Sequence, residues 1–210
     1  TIAQHNDDFY TWGFTGSNDP SSSWASIYTY DETLTGTNDT GWVPASNVTD
    51  TLITGKGYLS YIDASDLPLT LDVTSAPNLE SYSLPVTYTD SDSGIDHDGW
   101  NMVGNPYPSA IDWDAASGWT KSNMDNAIYI WNSSTGSYST YVSGIGTNGG
   151  SNIIPSTQGF WVKANTTTPV LSITRNATSA IDTTFRKQGN LLKNALKLIG
   201  QKKFLPLKFS

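Results

Sequence analysis

The second half of this chain repeats the first, and a repeat of short, turn-bounded segments restricts the folds open to it. Trp12-Gly13-Phe14-Thr15-Gly16-Ser17 lies over Trp100-Asn101-Met102-Val103-Gly104-Asn105, sharing Trp and Gly. Ser26-Ile27-Tyr28-Thr29-Tyr30-Asp31 lies over Ala127-Ile128-Tyr129-Ile130-Trp131-Asn132, and Thr54-Gly55-Lys56-Gly57-Tyr58 over Ser156-Thr157-Gln158-Gly159-Phe160. The offset grows from 88 at Trp12/Trp100 to 101 at Ile27/Ile128 and 102 at Gly57/Gly159, so the second copy carries an insertion near residues 109–123. The matched segments are rich in Thr, Tyr, Ile, Val and Trp and are separated by Gly, Asn, Asp and Pro, the pattern of strands joined by turns.

Further runs of the same kind are Leu69–Val73, Ser83–Tyr88, Tyr138–Val142 and Val170–Thr174, and no helical period appears before residue 185. The expected fold is all-β, two homologous β units in a sandwich or jelly-roll arrangement. Residues 1–89 form the first unit, 90–99 an acidic linker, 100–182 the second unit and 183–210 a basic tail. Alternation along the strands predicts Ile128 and Ile130 on the buried face, with Tyr129 and Trp131 opposite, and Ile27 against Tyr28 and Tyr30 in the first copy. Gly57 and Gly159, each before an aromatic residue, predict a bulge or a close backbone approach.

Charge divides the chain sharply. Residues 1–182 hold all 19 acids against Lys56, Lys121, Lys163 and Arg175, a net of −15; residues 183–210 hold seven Lys and Arg and no acid. A body so poor in basic residues repels a phosphate backbone, so nucleic acid is not an expected partner. With no Cys, thiol catalysis, disulfides and Cys-ligated zinc are excluded. No run of about 18 apolar residues predicts a membrane span, and Thr1–Tyr10 lacks the basic start and apolar core of a signal peptide. Low charge with abundant Thr, Ser, Asn, Gly and Tyr points to an exported protein.

Trp100–Trp113 (WNMVGNPYPSAIDW), Ile128–Asn132 and Gln158–Ala164 together resemble a β-rich module of large exported proteins of Bacteroidota. The first half is similar through Asn6–Phe9, Ile27–Asp31 and Gly55–Tyr58. In those proteins the module sits close to the C-terminal region read by the type IX secretion system. The resemblance implies a secreted or cell-surface location and neighbouring domains of a larger protein, and it implies no catalytic residue. From Leu191 to Ile199 the chain departs from that pattern and reads as a short basic amphipathic helix. The tail fits a docking segment able to meet a membrane surface or pack on the acidic body, a boundary within a longer chain, or a shift of reading frame.

Three chemistries compete for function. Asp90, Asp92, Asp96 and Asp98 recur around Gly94 in the linker, and alternating carboxylates on a chain that can curl are what calcium requires, although an EF-hand Glu is missing. The alternative is a solvated acidic turn. Catalysis finds little support: the only histidines are His5 and His97, and no nucleophile elbow, zinc-protease helix or phosphate loop is present. Asp112 and Asp114 flank Trp113, but two positions apart on a strand they share a face and do not oppose each other across a cleft. Carbohydrate binding is the stronger expectation, because sugar rings stack on flat aromatic faces beside amide and carboxylate groups. Trp113, Trp119, Trp131, Tyr138 and Trp161 are the candidate platform; each also suits a β core. The protein is thus expected to be a non-catalytic adhesion or carbohydrate-binding module, with a polysaccharide hydrolase and a structural spacer as alternatives.

Overall fold

β-Branched and aromatic residues set between turn formers fold here into thirteen short strands among the described residues. The computed structural model describes residues 1–36, 39–66, 69, 76–91, 98–133 and 135–181. In the first half lie β1 (Ile27–Tyr30), β2 (Trp42–Pro44), β3 (Leu59–Ser60) and β4 (Tyr82–Ser83). The second half holds β5 (Trp100–Gly104), β6 (Ile111–Asp112), β7 (Trp119–Ser122), β8 (Ala127–Asn132), β9 (Ser137–Val142), β10 (Ile145–Thr147), β11 (Ile153–Ile154), β12 (Gly159–Lys163) and β13 (Val170–Ile173). The helical elements among the described residues are single 3-10 turns at Ile2–His5, Ala64–Asp66 and Arg175–Ala177. None of them is long and apolar enough to cross a membrane. The fold is all-β and its named sheets are antiparallel, as expected. Of the anticipated runs, residues 70–75 and the tail beyond Ile181 lie outside the described residues, and Ser83–Tyr88 contributes a strand only at its first residue, within β4.

The repeat is visible in strand order. The first half forms the sheet β2-β1-β3, and the second forms β9-β8-β12 at the centre of the five-stranded sheet β10-β9-β8-β12-β5. Register repeats as well: Tyr28 pairs with Leu59, and at the equivalent positions Tyr129 pairs with Trp161. The first matched segment, Trp12–Ser17 over Trp100–Asn105, behaves differently in the two copies. Trp100–Gly104 is a full strand paired with β12, whereas Trp12 and Thr15 make only isolated bridges to Asp19 and Asn47.

Side-chain alternation places Val103, Ile128, Phe160 and Val162 on one face of the large sheet. They pack against Ile111, Ile154, Leu171 and Ile173 from β13 and β6-β11, and against Leu84 and Trp113 just beyond β4 and β6, giving a sandwich with its main core between the layers. The other face carries Trp100, Met102 and Trp161, and Tyr30, Trp42 and Leu59 of the first half cover it. Trp161 meets Tyr30 and Trp42 edge-to-face at 4.9 and 5.7 Å. Such pairs add about 0.5–1.5 kcal/mol each beyond the area they bury. Ile128 is buried as its position predicts, but β1 departs from the expected one-sided pattern: Ile27, Tyr28 and Tyr30 are all buried, because this strand is covered on both faces.

Backbone hydrogen bonds join the two halves. Gly57 N–H donates to Met102 O at 3.0 Å and Gly104 N–H to Gly55 O at 2.9 Å, so residues 55–57 extend the sheet beyond β5. A close approach at Gly57 was expected, and a Cβ there would stand 2.5 Å from Met102 Cγ and 2.9 Å from Val103 O. At Gly159 the nearest atom would be 3.8 Å away, ordinary contact, so the two equivalent glycines face different constraints.

Candidate functional site

The inserted segment of the second copy builds a hydrogen-bonded cluster of polar and aromatic side chains. β6 ends at Asp112, whose Oδ1 accepts the Asp114 backbone N–H at 2.9 Å, an Asx turn that bends the chain away from the sheet. Gly118, at φ +102°, turns it back into β7; a Cβ at this position would lie 2.4 Å from Ala177 N. Trp113 drops into the core from this loop, while Trp119 at the start of β7 stays half-buried and donates from Nε1 to Asp112 O at 2.7 Å. The two indoles meet edge-to-face at 5.0 Å.

Lys121, two residues further along β7, is the focus of the cluster. Its Nζ donates to Trp113 O at 2.9 Å and lies 4.1 Å from the centre of the Trp113 ring, a cation–π contact against a wholly buried indole. Burial pulls its pKa below the ordinary lysine value, and the carboxylates of Asp114 and Asp112 oppose that shift. Asn126 Oδ1 receives Trp113 Nε1–H at 2.9 Å and lies 3.4 Å from Lys121 Nζ. Asn152 donates from Nδ2 to Asp112 Oδ1 at 2.7 Å. Tyr141 on β9 donates its hydroxyl to Asp114 Oδ2, and that bond, followed by slight desolvation and the two aspartate charges, raises its pKa. Three loops and three strands therefore converge on two carboxylates, two carboxamides, one ammonium, a phenol and a half-buried indole.

The five platform aromatics do not form one surface. Trp113, at 0% exposure, and Trp161, at 4%, lie in the cores and offer no ring face to a ligand. Volume explains both: each fills the space between two layers where no smaller side chain would close the gap. Trp131, at 36%, is exposed and meets Tyr138 edge-to-face at 5.1 Å on the face of the large sheet that the first half covers. Trp119 alone of the five joins the polar cluster while keeping accessible surface. Trp24, not among the expected residues, is exposed at 38% beside Trp12 and Tyr61.

Asp112 and Asp114 do not share a strand face as expected, since the Asx turn separates them. Of the linker carboxylates, Asp92 and Asp96 lie outside the described residues; Asp98 accepts Ser91 Oγ–H at 2.7 Å, and Asp90 sits beside Ser91. Among the described residues no group of three or more His, Cys, Asp or Glu is placed to hold a metal ion. His97 is also outside the described residues, and His5 pairs with Asp8 at 2.9 Å. Lys121, Asn126, Tyr141 and Asn152 were not singled out from sequence. The one available signal was a lone lysine within an acidic, aromatic segment.

An all-β, sandwich-like fold with an aromatic-polar cluster on the inserted segment defines the class of this protein as a β-rich domain. Its family follows from comparison: residues 13–193 match the model of a domain of unknown function, DUF8693, and the chain belongs to that family. No curated protein and no solved structure matches it.

Proposed function

We propose that this chain is a non-catalytic, extracellular carbohydrate-binding or adhesion module, and that the cluster around Trp119, Asp114 and Tyr141 is its recognition surface. One observation carries the reading. A half-buried indole, a phenol, two carboxylates and two carboxamides are held by hydrogen bonds to one another and to backbone, so a ligand would not have to order them on binding. Sites for sugars combine such an aromatic surface with a few fixed polar groups. The hydrogen-bonding also weighs against a hydrolase, since Asp112 Oδ1 already accepts two donors and Asp114 is engaged by Tyr141. Export through type IX secretion, and attachment to neighbouring domains, are part of this proposal and rest on the resemblance of the Trp100–Trp113 run.

The test is retention of the purified chain on soluble and insoluble polysaccharides, with and without calcium, beside Trp119→Ala, Tyr141→Ala and Trp131→Ala. Loss in folded Trp119→Ala and Tyr141→Ala with retention in Trp131→Ala is the expected result. Loss confined to Trp131→Ala would move the platform to the other face of the large sheet. No retention under either condition would overturn carbohydrate binding, and dependence on calcium would bring the linker aspartates into the site.

A further inference from the structure

Resting on the carbohydrate reading, we infer that this surface selects oligosaccharides bearing amino groups over neutral and acidic ones. The orientation of the charges carries the inference. The single cation of the cluster is turned inward: Lys121 Nζ is held by Trp113 O at 2.9 Å and lies 4.1 Å from the centre of a ring with no exposure. Its hydrogen bond and ring contact go to the protein's own groups, and its charge offsets only part of that of the two neighbouring carboxylates, Asp114 and Asp112. Asp114, by contrast, is exposed, with Oδ2 accepting the Tyr141 hydroxyl, and Asp112 lies at the foot of the same turn. A ligand resting on Trp119, whose Nε1–H meets Asp112 O, would therefore meet negative charge. The surrounding field has the same sign, since the body to residue 182 carries a net of −15.

A sugar ammonium beside Asp114 gains a charge-assisted hydrogen bond. A uronate or sulfate in its place is repelled by Asp114 and Asp112, and Lys121 is positioned to serve Trp113 instead. Neutral sugars retain only stacking and ordinary hydrogen bonds.

The experiment titrates the full chain at low ionic strength with β-1,4-linked tetramers of glucosamine, N-acetylglucosamine, glucose and mannuronate, following tryptophan fluorescence and heat. Asp114→Asn and Asp7→Asn are run beside it; both remove one exposed carboxylate, and only the first alters the cluster. The expected result is glucosamine bound about tenfold or more tighter than its acetylated counterpart, with mannuronate weakest. That preference should collapse in Asp114→Asn, persist in Asp7→Asn and shrink with added salt. Equal loss in both variants would reduce the effect to the overall acidity of the protein and overturn the inference. Binding of the glucose or mannuronate tetramer as tight as glucosamine overturns it too, while leaving the carbohydrate reading intact. Binding of none of the tetramers, with no retention on polysaccharide, overturns both.

Discussion

Glu32 shows how much one buried polar side chain can organise in this fold. Its carboxylate accepts Thr89 N–H at 2.6 Å, Thr89 Oγ–H at 3.1 Å and Gly99 N–H at 2.9 Å, so one residue of the first half fixes both feet of the acidic linker. Glu32→Ala removes the acceptor of two backbone donors, Thr89 N–H and Gly99 N–H. The expected cost is about 2–4 kcal/mol by denaturant unfolding, since hydrogen bonds to a charged acceptor are the costly ones to lose; a change below about 1 kcal/mol would refute the clasp. Nothing in the sequence marks Glu32, because its partners lie 57 and 67 positions away. The local acids are another matter. Asp19, Asp31 and Asp63 each accept both the backbone N–H and the hydroxyl of a Ser or Thr two positions on, and Asn47 does the same. Those Asx turns are readable from Asp-x-Ser and Asp-x-Thr spacing alone. Part of the acidity of this chain is therefore turn chemistry.

At the scale of elements, long alternating runs such as β8, β9, β12 and β13 were legible because each carries its own periodicity. β7 and β10 were not: Trp119–Ser122 is mostly polar, and Ile145–Thr147 is a fully exposed edge with a central glycine. What places such strands is a partner in the sheet, which no local pattern records. The same limit applied to the site. Trp119 was legible as an aromatic on the insertion, but Tyr141 and Asn152 reach the cluster from distant segments, and the depth of Trp113 and Trp161 is set by layers packed from elsewhere. Gly57 and Gly159, equivalent in the repeat, make the point experimentally. Gly57→Ala must push Met102 and the Val103 carbonyl out of the seam between the halves, costing about 1–3 kcal/mol. Gly159→Ala meets only ordinary contacts, and its effect should stay below about 1 kcal/mol. Equal melting-temperature shifts for the two variants would show that the repeat, and not the seam, governs these positions.

The same seam makes the whole molecule sensitive to alkali. Tyr30 and Tyr138 both belong to the aromatic cluster between the first half and the large sheet, and both hydroxyls are pushed up to about 12, in each case chiefly by burial. At Tyr30 the charges of Glu32 and Asp39 add to the effect. An acid whose folded pKa is raised favours the folded state while it is protonated in both states; that contribution is complete below the unfolded value. Once the unfolded chain can ionise its phenols near pH 10 and the folded chain cannot, the unfolded state binds fewer protons and stability falls. The fall should run from about pH 10 to about 12, where the two seam tyrosines ionise in place. Lys121 acts in the opposite sense, because its pKa is lowered in the fold: the cost of holding it charged fades as pH rises toward 10.5, the value of an unburied lysine. The tyrosines outnumber it, with Tyr58, Tyr61, Tyr107 and Tyr129 also shifted upward by burial, so the net slope above pH 10 is negative. Denaturant unfolding across this range, with tyrosinate absorbance as a second probe, should show the loss, and Tyr30→Phe should flatten it. If Tyr30→Phe left the slope unchanged, the seam would not be where alkali acts, and the opening of this fold would have to begin in the sandwich core, where the buried Tyr107 hydroxyl is also shifted upward.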